Sequence, residues 1–352
     1  MLGEDIKKFR IHNRKYLGSK HRLLDFLTEV ITSKVPDIDT FVDGFAGTGS
    51  VALRFSRIAR KVVANDILLS NVVILKAFMM SSPRNVSLPR VSELIEELNG
   101  LPPCSGYAYR NYRGTYFSDQ NAGIIDAARE RIDELHEEQR CTEQEKNLLL
   151  ASLLFAVDKV ANTVGQYDAF LKNLNGPAYD RRGRHLVDAT AHKRLRLLMP
   201  AVQFMEGNEV HRGDFNLLAK TIRADVLYLD PPYNTRQYVD CYHVLENIAR
   251  WDKPPLVGKT RKFPRDRFKS DYSRRGTCEA AFRELIRDCR AVHIFLSYNN
   301  EGIIKDDAIL EALRRKGKVE IFEKPYGIFG NGAGRSVKRK IVERLFYCRV
   351  EN

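Results

Sequence analysis

One segment near the amino terminus restricts the fold of this chain more than any other. The apolar stretch TFVDGF is followed by a glycine-rich turn at residues 43–49, then by the helical pattern SVALRFSRIAR and a second apolar stretch, KVVANDI. Short apolar runs bounded by turn signals predict buried strands. A strand, a glycine turn, a helix and another strand make a β–α–β unit with parallel strands. The segment therefore predicts an α/β fold around a mostly parallel sheet.

Later parts of the chain add further predicted strands and a region with mainly helical patterns. Strand patterns return as ADVLYLD, AVHIFLSYN, VEIFEKPYGIF and KRKIVERLFYCRV, and the last two are predicted to pair antiparallel. Between them and the first unit lie long helical patterns, one starting near Ala122 and one after Thr142, where Thr142 and Glu145 have capping-box spacing. We predict a Rossmann-like catalytic domain formed by residues 1–80 and 209–352, interrupted by a helical insertion at 81–208.

Composition limits the partners and the compartment. Lys and Arg number 58 against 45 Asp and Glu, and the net charge of +13 fits a phosphate-bearing partner, although a generally basic surface explains it too. No apolar run reaches the roughly 18 residues of a membrane span, and the first residues lack a signal-peptide pattern. We expect a cytoplasmic protein with no membrane partner. The six cysteines have no C-x-x-C spacing, so we expect no metal site.

The glycine turn is a candidate cofactor site. Its sequence, DGFAGTG, would let a ligand approach the backbone closely, but the spacing does not match the G-x-G-x-x-G pattern of dinucleotide-binding proteins. Asp66 ends the next strand, where a carboxylate can accept both hydroxyl hydrogens of a ribose. The structural alternatives are a plain tight turn and a helix N-cap at Asp66.

A second candidate site follows the apolar run at 226–229, where the sequence reads Asp230-Pro231-Pro232-Tyr233. Two prolines hold the chain rigid at the end of a strand. Asp230 and the Pro231 carbonyl could then accept the two N–H bonds of an exocyclic amine while Tyr233 stacks on the base. An ordinary turn after a strand is the alternative.

The motifs KYLGSK at 15–20, DGFAGTG and DPPY occur in that order. Together they resemble the Dam-like, alpha-group N6-adenine DNA methyltransferases. DPPY alone also occurs in RNA methyltransferases that modify base amines, whereas KYLGSK favours DNA. The resemblance implies a class I S-adenosylmethionine-dependent fold. It also implies site-specific methylation of an adenine flipped out of duplex DNA, as in a restriction-modification system.

The resemblance also implies a set of residues that bind S-adenosylmethionine. Lys20 would pair with the methionine carboxylate and Asp214 with the adenine amino group, although Gly-Asp is also a common turn sequence. The full set is Tyr16, Lys20, Asp43, Phe45, Gly47, Gly49, Asp66 and Asp214.

A basic segment at 259–275 is the candidate DNA contact, with aromatic residues interleaved among its cations. Such a segment predicts phosphate contacts that do not depend on sequence, and a solvated loop is the alternative. Base reading is expected in the insertion, at 107–117 and 166–179, where tyrosines could equally pack its core. The basic residues are Lys259, Arg261, Lys262, Arg265, Arg267, Lys269, Arg274 and Arg275.

We expect a monomer that acts on double-stranded DNA, with a separate restriction endonuclease as a candidate partner. Two other functions remain open: an RNA base-amine methyltransferase, and a catalytically silent subunit that binds nucleic acid. The spacing of the glycine turn disfavours a nicotinamide oxidoreductase. Cytosine C5 methylation is disfavoured because Cys104 alone follows a proline, and it lies in a predicted loop.

Overall fold

The computed structural model describes residues 8–327 and 340–351 except 173, 175, 176, 178, 184 and 185, and of residues 267, 326, 340 and 341 it describes the backbone alone. The strands are β1 Thr40–Asp43, β2 Lys61–Asp66, β3 Glu209–Arg212, β4 Arg223–Leu229, β5 Arg290–Asn299, β6 Gly317–Gly327 and β7 Lys340–Val350. The helices are α1 Leu24–Lys34, α2 Ser50–Phe55, α3 Leu69–Met79, α4 Leu88–Gly100, α5 Tyr107–Tyr112, α6 Asp119–Glu137, α7 Glu143–Val160, α8 Phe215–Leu218, α9 Tyr238–Cys241, α10 His243–Arg250, α11 Cys278–Asp288 and α12 Asp306–Arg314.

The described strands form one seven-stranded sheet in the order β3-β2-β1-β4-β5-β7-β6. β2, β1, β4 and β5 run parallel, whereas β7 is antiparallel to both β5 and β6. The predicted α/β class, the first β–α–β unit and the antiparallel finish are therefore confirmed. The strand order reverses direction between β1 and β4, which is where open α/β sheets bind ligands.

The chain divides into two compact units, which we name by content. The sheet unit contains residues 20–67, 211–237 and 269–352, and the helical unit contains residues 1–19, 68–210 and 238–268. The predicted insertion at 81–208 lies inside the helical unit, which also includes flanking segments. The split into an insertion and a catalytic domain stays a prediction.

The core of the sheet unit lies between the strands and the helices that pack on them. Leu227, Leu229, Ile294 and Phe346 come from three neighbouring strands, and Phe282 of α11 packs in the same cluster. All five side chains are at most 3% exposed. Apolar strands of this kind need cover on both faces, and this packing fixes the positions of the strand ends.

The helical unit is built around α7, whose apolar residues from Leu148 to Val160 are at most 8% exposed. The predicted capping box is present: the Thr142 hydroxyl accepts the Glu145 N–H at 3.1 Å, and the Glu145 carboxylate accepts the Thr142 N–H at 2.9 Å. The helix predicted near Ala122 begins at Asp119. In the described part of the chain, no helix is both long and apolar enough to cross a membrane.

Candidate active site

The turn between β1 and α2 requires its glycines. Gly47 and Gly49 have φ of 52° and 76°, the left-handed region that favours glycine. Gly44 lies so close to Phe215 that a Cβ there would come within 2.5 Å of the ring. The turn therefore leaves backbone groups, with no side chains from these glycines, at the carboxyl end of β1.

Asp43, the last residue of β1, carries a buried carboxylate that is 1% exposed. Within the described residues no side chain donates a hydrogen bond to either of its oxygens, and the nearby backbone N–H groups of Phe45 and Ala52 only partly offset the effect of burial on its pKa. Burial raises its pKa well above the usual range, and the nearby charges of Asp230 and Asp66 raise it further. An unpaired buried carboxylate costs free energy, so Asp43 is suited to accept a donor group of a ligand.

Asp66 ends β2 and connects it to the glycine turn. Its Oδ2 accepts the backbone N–H of Gly47 at 2.9 Å. The alternative that Asp66 is a helix N-cap is wrong, because α3 begins at Leu69 with Leu68 as its N-cap. Asp66 therefore lies at the same edge of the sheet as Asp43.

Asp230 and Tyr233 follow β4, which is the neighbour of β1 in the sheet. The Asp230 side chain is 16% exposed. Tyr233 is half-buried against the core of the sheet unit, and its carbonyl accepts the Ile303 N–H at 3.0 Å. The carboxyl ends of β1 and β4 flank the reversal of strand order, so Asp43 and Asp230 lie beside the same crevice.

Lys20 has carboxylate partners in the structure. Its ammonium lies 2.8 Å from Asp230 Oδ1 and 3.2 Å from Glu343 Oε1, and its side chain is 7% exposed. These contacts raise its pKa against the opposing effect of burial, so Lys20 stays charged. It also lies 5.7 Å from the centre of the Tyr233 ring.

Glu343 on β7 was not identified from the sequence. Its side chain is 7% exposed, and the Ser297 hydroxyl donates to its Oε1 at 2.7 Å. The signal was a charged residue at a position that shares a strand face with Leu345 and Tyr347. That pattern indicates an inward-facing acid but not its partner.

Asp214 and Phe45 belong to a second group of neighbouring side chains in the sheet unit. Asp214 caps α8 by accepting the Asn216 N–H at 3.0 Å, and Tyr272 donates to Asn216 Oδ1 at 2.7 Å. The Phe45 ring centre is 5.0 Å from that of Tyr272 and 5.7 Å from that of Phe215. The group provides aromatic edges and faces next to the glycine turn.

Tyr16 belongs to the helical unit, where its ring stacks on Tyr242 with a 4.5 Å separation of centres. Its hydroxyl accepts an N–H from the Asn71 side chain at 3.0 Å. The aromatic residues Tyr107, Tyr112, Tyr116 and Phe117 are buried in the same unit, which favours the interpretation that they pack its core.

The cationic side chains of the basic segment differ in their exposure to solvent. In the helical unit Lys259 and Arg261 are exposed, whereas Lys262 and Arg265 are each 20% exposed and pair with Asp240. In the sheet unit Arg274 and Arg275 are exposed, Lys269 is half-buried, and Arg274 lies 3.4 Å from Asp271. The side chain of Arg267 lies outside the described residues.

Three features define a class I S-adenosylmethionine-dependent methyltransferase fold. They are a parallel sheet with a reversed β7 between β5 and β6, a glycine turn after β1, and Asp-Pro-Pro-Tyr after β4. The chain belongs to the D12 class N6 adenine-specific DNA methyltransferases, whose family model matches residues 16–308.

Proteins similar to this chain include several methyltransferases. Type II methyltransferase M.NlaIII of Neisseria lactamica is 36% identical over 325 residues, covering 89% of this chain and 92% of that protein. Modification methylase StsI of Streptococcus sanguinis is 34% identical, covering 95% of this chain and 52% of its own length. Type II methyltransferase M.FokI of Planomicrobium okeanokoites is 34% identical, with 96% and 53% covered. The chain thus spans about half the length of the latter two.

Proposed function

We propose that this chain methylates N6 of a specific adenine in duplex DNA, with S-adenosylmethionine as donor, and that it is the modification enzyme of a restriction-modification system. The observation that carries the proposal is Asp230 at the carboxyl end of β4, beside the buried carboxylate of Asp43, to which no described side chain donates. The similarity to M.NlaIII, a type II methyltransferase, and to StsI, a modification methylase, supports the restriction-modification role.

The sheet unit contains groups that fit S-adenosylmethionine, which supplies an electrophilic methyl group on a sulfonium when bound. Asp43 would accept from the methionine ammonium, because its buried oxygens have no side-chain donor or cation among the described residues. Asp66 would accept from the ribose, and Phe45 would contact the adenine with its ring. The other proposed contacts in this unit are Gly47 and Gly49 through the backbone, Asp214 and Lys20, and the cofactor role of Tyr16 stays a prediction from the sequence.

The target amine is a poor nucleophile because its lone pair is delocalised into the base. Asp230 and the Pro231 carbonyl would accept its two hydrogens, which localises electron density on the nitrogen and orients it for in-line attack. Pro231 and Pro232 hold these acceptors at a fixed distance from the end of β4. The nitrogen then releases one proton to water.

The base must leave the duplex before Asp230 can reach it. Extrusion costs a few kcal/mol, and stacking on Tyr233 would offset part of that cost. Phosphate contacts from the basic segment would hold the duplex nearby. Reading of the target sequence is proposed for the helical insertion.

The test is Asp230→Ala, assayed for methyl transfer to duplex DNA and for cofactor binding by calorimetry. We expect turnover to fall by about a thousandfold or more, while cofactor affinity changes only a few-fold, because the carboxylate contacts the target amine. Asp225→Ala is the matched control: Asp225 lies on the same strand and accepts the backbone N–H groups of Asp39 and Thr40. It is expected to lose stability but keep turnover. If Asp230→Ala kept a tenth of wild-type turnover, the assigned role would be wrong.

A further inference from the structure

Three charged side chains, one of them from the Asp-Pro-Pro-Tyr segment, form a buried group. Lys20 contacts Asp230 at 2.8 Å and Glu343 at 3.2 Å, so one ammonium lies between two carboxylates. The side chains of Lys20 and Glu343 are 7% exposed and that of Asp230 is 16% exposed. Charges with so little access to water interact strongly, so each of the three affects the other two.

Glu343 is held in place by the sheet itself. β7 aligns Glu343 with Asn299 of β5, and Ser297, two residues before Asn299, shows the same face of the sheet. The Ser297 hydroxyl donates to Glu343 Oε1 at 2.7 Å, the same oxygen that contacts Lys20. This diagonal pair across two central strands fixes the carboxylate relative to Lys20.

We propose that Glu343 is a positioning residue for methyl transfer, which holds the Lys20 ammonium on Asp230 Oδ1 and makes the group of three net negative. The proposal rests on the proposed function. With Lys20 at Oδ1, the target amine is directed to Oδ2 of Asp230. The net charge of the group is −1, from one cation and two anions, and it faces a nitrogen that becomes positive as the methyl bond forms.

A purely structural role does not explain why Glu343 is buried beside Lys20. A buried Lys20 with a single carboxylate, Asp230, would already be paired, so a second carboxylate is not needed to neutralise it. Burying a second carboxylate costs desolvation free energy. The surplus negative charge is therefore the feature that a role in catalysis explains.

The pH dependence of turnover reports this charge. Burial raises the pKa of Asp230 to about 6, Lys20 lowers it and Glu343 raises it. Two further titratable groups face Asp230: Asp43 from β1 and Tyr228 from β4. Burial raises the pKa of Tyr228, so Tyr228 stays neutral. Asp230 must be ionised to accept the amine hydrogen, so turnover falls as the pH falls through about 6.

The experiment measures single-turnover methyl transfer to duplex DNA from about pH 5 to about pH 8.5 for wild type and Glu343→Gln. Glutamine keeps an oxygen that can accept from Ser297 and Lys20 but removes the charge. We expect the acidic midpoint to move to lower pH by about half a unit, because a group that raises the pKa of Asp230 is gone. The plateau rate should fall about tenfold, with cofactor and DNA affinities within about twofold of wild type.

Glu320→Gln is the matched control, because Glu320 lies on the neighbouring strand β6 and pairs with Lys34 at 2.7 Å. It should leave both midpoint and plateau unchanged. A folded Glu343→Gln protein with the wild-type midpoint and plateau would overturn the proposal. If wild type itself transferred no methyl group to DNA, the proposed function would fail instead.

Ser297→Ala decides the matter if Glu343→Gln does not fold. It removes the hydroxyl that holds Glu343 but leaves every charge of the group in place. We expect about a threefold fall in plateau rate with an unchanged midpoint. Full turnover in Ser297→Ala would then overturn the positioning role.

Discussion

Asp43, Asp66 and Asp230 each lie at the end of a strand in the sheet unit, but their partners differ. Asp43 has no side-chain donor within the described residues, Asp66 accepts a backbone N–H from Gly47, and Asp230 pairs with Lys20. Different environments give carboxylates different chemical roles at one pH. The contrast supports the proposal that Asp43 accepts a hydrogen bond from the cofactor and that Asp230 accepts a hydrogen of the target amine.

Tyr233 carries the prediction at the residue scale. Its ring is half-buried against the sheet core, and we propose that it stacks on the flipped base. Tyr233→Ala should weaken binding of the flipped adenine by roughly 1–3 kcal/mol, the worth of base stacking on an aromatic ring. Tyr233→Phe should be much milder because the ring face remains. The measurement is affinity for a target adenine in a normal pair and opposite a mismatch.

The mismatch arm separates stacking from other roles of the tyrosine. Wild type should bind the mismatched target more tightly, since extrusion then costs less. A Phe variant as damaged as the Ala variant, together with equal affinity for matched and mismatched targets, would assign the work to the tyrosine hydroxyl.

Strand ends could be located from the sequence because each follows a short apolar run. This was enough to find Asp43, Asp66 and Asp230. Glu343 could not be assigned, because its contact with Lys20 depends on the register between β5 and β7. β3 was also missed: its sequence EVHR is half-exposed and has no apolar alternation, as an edge strand with a single neighbour can tolerate.

The segment between α10 and α11 gives the prediction at the element scale. Its exposed cations Lys259 and Arg261 are available for phosphate contacts, whereas Lys262 and Arg265 pair with Asp240. Replacing Lys259 and Arg261 by Ala should weaken binding to all DNA sequences alike. The slope of log affinity against log salt should fall by about one unit per lost contact.

The control removes the same charge elsewhere, with Arg314→Ala and Arg315→Ala at the carboxyl end of α12, where both residues are exposed. That variant should keep the wild-type salt slope. The Lys262→Ala, Arg265→Ala double variant should instead lower the melting temperature, because Asp240 loses both partners. A loss of affinity confined to one DNA sequence would show that Lys259 and Arg261 read bases.

At the scale of the whole molecule, sequence order did not reveal every segment of the helical unit. Phe9 packs on Phe155 with ring centres 4.1 Å apart, and Glu246 of α10 accepts the first N–H groups of α3. The first contact joins a segment before the predicted insertion to the insertion itself, and the second joins segments before and after it. Local sequence patterns carry no information on such contacts between distant segments. They do predict an α/β sheet, and the composition gives a net charge of +13, which suits a polyanionic partner.

The most direct test of the account is the identity of the methylated nucleoside. The protein is incubated with S-adenosylmethionine carrying an isotope-labelled methyl group and either duplex DNA or structured RNA. The products are then digested to nucleosides and analysed by mass spectrometry. The account predicts label in N6-methyladenine from DNA, and none when Asp230→Ala replaces the wild-type protein. Label in a methylated cytosine, or more label in RNA than in DNA, would contradict it.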